Sequence, residues 1–117
     1  ESGGAHHYWL LDTVSVNDTA NNANILANGG FETGDFTGWT QYCNNNTICG
    51  GTGEYGQLTN SPCQAGTYCY VDKCGNKNGY DYLYQSFSTI SGNYYLIAFY
   101  LKANKNDGSW YVYVMLS

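Results

Sequence analysis

The sequence predicts an all-β fold, an antiparallel jelly-roll β-sandwich, and three observations lead to this prediction. Apolar and polar residues alternate over residues 8–16, as they do in a half-buried strand. Periodicity of the kind found in amphipathic helices is absent. Several short strands separated by Gly- and Asn-rich turns indicate a sandwich. The further β-rich runs, each bounded by Gly, Asn, Asp or Ser, are residues 66–72, 80–88, 93–102 and 109–116.

Three segments are expected along the chain. Residues 1–16 carry the first strand, and residues 17–27 form a polar, Asn-rich linker with the composition of an exposed connection. Residues 28–117 form the sandwich body, because a chain of 117 residues is long enough for one domain and one core. The chain begins without an initiator Met or a signal peptide, so we expect a mature fragment, a processed chain or one unit of a longer protein.

The charge of the chain limits its partners. Charged residues make up 11% of the sequence, and Lys plus Arg total 4, too few to neutralise a phosphate backbone. No apolar run approaches the roughly 18 residues of a membrane span, and the scarcity of basic residues argues against a membrane-surface helix. We therefore expect no nucleic acid partner and no membrane insertion. The 13 Tyr and 15 Gly provide a polar, uncharged surface suited to sugars or to close protein packing.

The cysteines and two glycosylation sequons point to an extracellular protein. No Cys-x-x-Cys pair suggests zinc or a thioredoxin-like site, so disulfides are the expected role of the cysteines. Several pairings are open, and the odd cysteine is either unpaired or joined to another chain. The sequons begin at Asn17 and Asn45, and N-glycosylation belongs to the same oxidising compartment. The five cysteines are Cys43, Cys49, Cys63, Cys69 and Cys74.

Several motifs occur in an order that resembles the galactose-binding-like jelly rolls, which include families of carbohydrate-binding modules. The first is Asn-Gly-Gly-Phe-Glu at residues 28–32, followed by Trp39 at the position of a core-packing tryptophan in that family. Three later segments are similar to further strands of the family, namely residues 66–70, 84–87 and 94–101. The resemblance covers residues 24–117 and implies the jelly-roll fold.

The family's last strand is matched by residues 8–16, at the front of this chain, so the order of strands is rotated. Trp9, Leu11 and Val14 need a sheet to pair with, because exposing such a side chain forfeits roughly 1.5–3 kcal/mol. Three arrangements satisfy this need. The chain is one repeat of a tandem polyprotein, or it donates this strand to a neighbouring copy, or the strand closes on its own body. The first two repeat head to tail and give a fibre.

The resemblance also implies a structural calcium ion where the first and last family strands meet. It assigns side-chain ligands to Asp12 and Glu32 and carbonyl ligands near Asn28 and Gly30, an all-oxygen set of the kind calcium prefers. A single aspartate stands here where the family often has two. The alternative is that these residues are polar positions at strand ends.

Sugar binding requires exposed aromatic rings with polar groups nearby. The same rings could instead face another copy of the chain. No Ser-His-Asp, Cys-His or metal-binding pattern accompanies His6 and His7, so we expect no enzyme activity. The expected function is a structural or adhesive extracellular module that assembles head to tail, with carbohydrate binding as the alternative. The candidate sugar-binding residues are Tyr42, Tyr55, Tyr80, Tyr82 and Trp110.

Overall fold

The computed structural model describes residues 8–42, 56–60, 62–73, 81–104 and 112–117. Within these ranges every regular element is a strand and every pairing is antiparallel, which confirms the all-β prediction. No helix that could cross a membrane occurs in them. The strands are β1 (Tyr8–Asp18), β2 (Ala23–Asn24), β3 (Thr40–Tyr42), β4 (Gln57–Thr59), β5 (Cys69–Asp72), β6 (Tyr82–Tyr84) and β7 (Tyr95–Asn104).

The strands form two sheets, and β1 is the centre of the larger one. Along one edge β1 pairs with β7, and along the other it pairs first with β5 and then with β2. Strand β4 extends the sheet beyond β5. Strands β3 and β6 form the second, two-stranded sheet. Strand β1 therefore pairs with three of the other four strands of the larger sheet.

Strand β1 pairs within its own chain, which is the closed arrangement among the three that the sequence allows. Leu11 lies between Tyr70 of β5 and Leu101 of β7. The Trp9 ring contacts the Tyr70 ring at 5.7 Å between centroids. Donating β1 to a neighbour would require these pairings to be broken and formed again on the other copy.

The segment predicted as an exposed linker, residues 17–27, forms a hairpin on β1 instead. Strand β1 continues to Asp18, whose carboxylate accepts hydrogen bonds from the Ala20 amide at 3.0 Å and from the Asn21 side chain at 3.1 Å. After the turn, the Asn24 side chain accepts the Val16 amide at 3.0 Å. Asn and Asp side chains accept hydrogen bonds from backbone amides in tight turns. An Asn-rich composition is therefore as typical of a turn as of a linker.

The core lies on both sides of β5, all four residues of which are buried. On one side Leu10, Cys69 and Val71 form a cluster. On the other side the Tyr70 ring packs on the fully buried Phe31 ring at 6.0 Å between centroids. Trp39 in turn stacks on Phe31 at 5.5 Å and donates its Nε1 hydrogen to the Asn28 carbonyl at 2.9 Å, the packing role expected for it.

A β-bulge in β1 determines which side of β7 faces the core. The register between β1 and β7 shifts by one residue between Asp12 and Ser15. Residues directly opposite each other in antiparallel strands point to the same side of the sheet. Leu101 is opposite Leu11 and Ile97 is opposite the buried Val16, so the side of β7 that faces the Tyr70 and Phe31 half of the core carries Tyr95, Ile97, Phe99 and Leu101.

Candidate functional site

Three exposed tyrosines share the outer face of the two-stranded sheet. Tyr42 pairs with Tyr82, and Thr40 pairs with Tyr84, so these side chains point away from the half-buried Gln41 and Leu83. The Tyr42, Tyr82 and Tyr84 side chains are 61%, 40% and 55% exposed. The Tyr42 and Tyr82 ring centroids are 5.9 Å apart at 59°. We call Tyr42, Tyr82 and Tyr84 the tyrosine platform.

Two of the predicted sugar-binding residues, Tyr42 and Tyr82, are thus brought together. Tyr84 was not among the predicted sugar-binding residues, although the alternation of residues 82–84 places it on the same face as Tyr82. Tyr55, Tyr80 and Trp110 lie outside the described residues. The platform offers ring faces and hydroxyl groups at the surface, which is the chemistry of a saccharide or protein contact.

A polar network lies beneath the platform and joins the two sheets. Gln41 donates from Nε2 to the Gly56 carbonyl at 2.6 Å, and the Gly56 amide donates to the Asp81 carboxylate. Burial raises the pKa of Asp81, and a hydrogen bond from Gln41 opposes that shift. Burial, together with the charges of Asp72 and Asp81, holds the pKa of the Tyr70 hydroxyl far above its usual range. Tyr70 is 1% exposed, so its hydroxyl is closed to a substrate.

The two predicted calcium carboxylates bind a loop of this chain, residues 64–68. Asp12 accepts the Thr13 amide on Oδ1 at 2.6 Å and the Ala65 amide on Oδ2 at 3.0 Å. Glu32 accepts the Thr67 amide at 2.9 Å and the Tyr68 amide at 3.0 Å. Each carboxylate therefore holds a different part of the same loop.

In this structure the oxygens of these residues accept hydrogen bonds from the chain itself, whereas a calcium ion takes six to eight oxygen ligands. N–H donors already point at the oxygens of both carboxylates, and the Asn28 carbonyl accepts the Trp39 indole and the Phe31 amide. The Gly29 carbonyl, rather than that of Gly30, contacts β1 by accepting the Val14 amide at 2.9 Å. The structure does bring the 28–32 turn against residues 8–16, as the resemblance implies, and the calcium ion itself stays a prediction of the resemblance alone.

Cys63 and Cys69 form a disulfide that closes the same loop, with their Cα atoms 5.5 Å apart. This local pairing is one of those that the spacing allows. The two sulfurs lie within 4.8 Å of an Asp12 carboxylate oxygen, but bonded sulfurs are not the thiolates that a soft metal ion needs. Cys43, Cys49 and Cys74 lie outside the described residues.

The first sequon lies in ordered structure. Asn17 is half-buried in β1 and donates from Nδ2 to the Asn22 side chain at 3.2 Å. The Thr19 hydroxyl donates to the Tyr94 carbonyl at 2.8 Å. A glycan on Asn17 would have to displace or share the contact with Asn22, and glycosylation there stays a prediction. The second sequon, at Asn45, lies outside the described residues.

One side of β7 is apolar and open. Phe99 and Leu101 point toward the core side of the larger sheet yet are 38% and 44% exposed. We call the Phe99 and Leu101 side chains the open flank.

A second exposed apolar region is the C-terminal segment, residues 112–117. This segment was predicted as part of a strand at residues 109–116, and its described residues belong to no strand. Val112, Val114, Met115 and Leu116 are 40%, 57%, 69% and 73% exposed. Contiguous apolar surface of this kind marks contact sites in soluble proteins.

Comparison of the chain with models of protein families, with curated proteins and with solved structures finds no match. The resemblance to galactose-binding-like jelly rolls therefore stays a prediction, carried by the motifs in the sequence.

Proposed function

We propose that this chain is a non-catalytic, extracellular structural module, a jelly-roll sandwich whose copies associate head to tail. The observation that carries the proposal is the open flank, where Phe99 and Leu101 are exposed on the side of β7 that faces the core. A sandwich buries this side against its second sheet. Here the second sheet has only two strands in the described part of the chain.

Strand β7, an edge strand among the described residues, carries little of the protection that monomeric β proteins give to their edges. Such proteins use short edge strands, charged side chains or proline to prevent pairing with another chain. Strand β7 has ten residues, contains no proline, and has Lys102 as its one charged residue. Association with another chain is therefore only weakly opposed.

Two further observations support the extracellular and non-catalytic parts of the proposal. The Cys63–Cys69 disulfide is typical of an oxidising compartment. The carboxylates of Asp12 and Glu32 hold backbone amides of a loop, which is a structural role. Asp81 and Tyr70 take part in the network between the sheets.

The test is sedimentation velocity over a range of concentrations, together with electron microscopy. We expect the chain to associate into species that grow with concentration beyond its 12.9 kDa mass. Leu101→Lys places a charge on the open flank and should abolish association. Leu96→Lys is the matched control, because Leu96 is 60% exposed on the opposite side of the same strand. A wild-type chain that stays at monomer mass at every concentration would overturn the proposal.

A second candidate function, carbohydrate binding, is favoured by the tyrosine platform. The exposed faces of its Tyr42 and Tyr82 rings, with centroids 5.9 Å apart, offer a surface across which a sugar ring can stack. The test is affinity electrophoresis through gels that contain soluble polysaccharides. Tyr42→Ala should lose retardation, whereas Tyr94→Ala should keep it, because Tyr94 is 82% exposed but lies outside the platform. Equal retardation of both variants would exclude the platform as a sugar site.

A further inference from the structure

We propose that reduction of the Cys63–Cys69 disulfide turns this part of the molecule into a zinc site, with the two thiolates and the Asp12 carboxylate as its ligands. The three side chains lie on the other face of the larger sheet from Phe99 and Leu101. The site is therefore independent of the proposed association between copies.

The three candidate ligands already converge on one point. The two sulfurs and one carboxylate oxygen of Asp12 lie within 4.8 Å of one another. In a tetrahedral zinc site, with Zn–S bonds of about 2.3 Å and Zn–O bonds of about 2.1 Å, two ligand atoms are about 3.6–3.8 Å apart. Once the S–S bond is broken, the sulfurs have to separate to this distance, which rotation of the two side chains allows.

The positions of the two cysteines do not depend on the disulfide alone. Cys69 is fully buried in β5, which pairs with β1 on one edge and with β4 on the other. The loop that joins the two cysteines, residues 64–68, donates backbone amides to the carboxylates of Asp12 and Glu32. These contacts do not involve the sulfurs. We therefore expect the two thiols to stay side by side after reduction.

Asp12 can bind a metal ion and keep the loop at the same time. An ionised carboxylate offers about four lone-pair sites. The Thr13 amide donates to Oδ1 at 2.6 Å and the Ala65 amide donates to Oδ2 at 3.0 Å, so each oxygen keeps a second lone pair beyond these bonds. The side chain is 3% exposed, and buried carboxylates are stabilised by hydrogen bonds, ion pairs or metal ions.

A cavity beside the three residues gives a metal ion a path from solvent. It has a volume of about 150 Å³, and its walls include Asp12, both cysteines and Lys102. One water molecule needs about 10–15 Å³ of such space, so the cavity has room for a water as the fourth zinc ligand. The two thiolates and the carboxylate carry one more negative charge than Zn²⁺ carries positive charge, and the Lys102 ammonium group offsets this excess.

Two chemical steps lead to the bound ion. A dithiol reductant supplies two electrons and two protons, which convert the disulfide into the Cys63 and Cys69 thiols, and the reductant itself becomes a disulfide. Zn²⁺ then replaces the two thiol protons, which pass to the buffer, and forms two Zn–S bonds and one Zn–O bond. In an oxidising compartment the disulfide keeps the site closed.

The experiment is a calorimetric titration of the full-length chain with Zn²⁺, after reduction with dithiothreitol and removal of the reductant under nitrogen. The comparison is with the oxidised chain and with a reduced Cys63→Ala, Cys69→Ala double variant, in which any zinc bound by the other cysteines remains. We expect the reduced wild type to bind one more Zn²⁺ per chain than either. Titration with Co²⁺ should show the thiolate-to-metal absorption band of this additional site. Cys63→Ser, which removes one thiolate, should likewise lose the additional site.

A matched pair of variants tests the role of Asp12. Asp12→Asn and Glu32→Gln each remove a carboxylate that holds the loop, but only Asp12 is assigned as a ligand. We expect Asp12→Asn to weaken the additional site at least tenfold and Glu32→Gln to weaken it less than about threefold. Equal weakening by the two variants would show that both act through the loop and would overturn Asp12 as a ligand.

Near-ultraviolet circular dichroism of the reduced chain provides the check of folding. We expect its signal to persist without zinc, because the sheet and the two carboxylates hold the cysteines in place. Loss of the signal on reduction would overturn the preformed site. Equal zinc binding by the reduced wild type and the double variant, or by the oxidised and reduced wild type, would overturn the site itself. None of these outcomes bears on the association between copies.

Discussion

The substitution Gly29→Ala, which adds one methyl group, tests the contact between the turn at residues 28–32 and the bulge of β1. The Gly29 carbonyl accepts the Val14 amide at 2.9 Å. A Cβ atom placed on Gly29 would lie 1.8 Å from the Val14 carbonyl oxygen and 2.9 Å from its carbon. Both are backbone atoms of the central strand, so no side-chain rotation can relieve the clash. The turn has to move away from β1 in Gly29→Ala.

The expected cost follows from two effects. Overpacking costs about 1–3 kcal/mol. A backbone hydrogen bond lost at a buried position costs about 1–3 kcal/mol more. We therefore expect Gly29→Ala to lower the free energy of unfolding by about 2–6 kcal/mol, measured by urea denaturation with intrinsic fluorescence. At about 4 °C per kcal/mol for a chain of this size, Tm should fall by about 8–24 °C.

The adjacent glycine supplies the control. A Cβ on Gly30 would meet only the Glu32 Cγ atom, at 3.6 Å, which is an ordinary contact. Gly30→Ala should therefore change stability by less than about 1 kcal/mol, with a gain expected from the reduced freedom of the unfolded chain. Equal losses of unfolding free energy in the two variants would refute the close contact of Gly29 with β1. Such a result would mean that the turn tolerates alanine poorly at either position.

Three further predictions concern the bulge, the buried carboxyl and the disulfide. Thr13 has a φ of +50°, which is strained for a β-branched residue. In the same denaturation assay, Thr13→Gly should leave the free energy of unfolding unchanged or raise it by up to about 1 kcal/mol. Ser15→Gly in the same strand should lower it by about 0.5–1 kcal/mol. Burial raises the pKa of Asp81 in the folded state, so the stability linked to this carboxyl is present at low pH and is lost as pH rises from about 4 through the raised pKa. The free energy of unfolding, measured across that pH range, should depend less on pH in Asp81→Asn than in wild type. An identical pH dependence would contradict the burial of the Asp81 carboxyl. Replacing both Cys63 and Cys69 with alanine should lower Tm by an amount equivalent to about 2 kcal/mol, the loop-closure value for a disulfide that joins residues six apart.

The sequence predicted those features that depend on local pattern. Strict alternation identified β1 to within two residues of its observed end, and the Cys63 and Cys69 spacing allowed the local disulfide that the structure contains. Strand β7 was predicted at residues 93–102 and is observed at Tyr95–Asn104. Periodicity and turn residues suffice in these cases because neighbours in the sequence determine the outcome.

Features that depend on distant contacts were missed. Strand β3 has only three residues, Thr40–Tyr42, and it is a strand because β6 pairs with it. The sequence therefore identified Tyr42 and Tyr82 as candidates but could not show that they lie side by side. The bulge places Thr13 in a left-handed conformation that its own side chain disfavours, and the Asp12 and Gly29 contacts on either side of it stabilise that conformation. No local pattern predicts a residue that is held against its own preference.

Two ways in which copies could associate differ in what they bury. Exchange of β1 between copies would restore on the neighbour the same pairings with β5, β7 and β2 that exist within one chain. It would leave Phe99 and Leu101 as exposed as before, so it gains no apolar burial. A contact that covers Phe99 and Leu101 breaks none of these pairings and removes apolar side chains from water. The hydrophobic driving force therefore favours association through the open flank over exchange of the N-terminal strand.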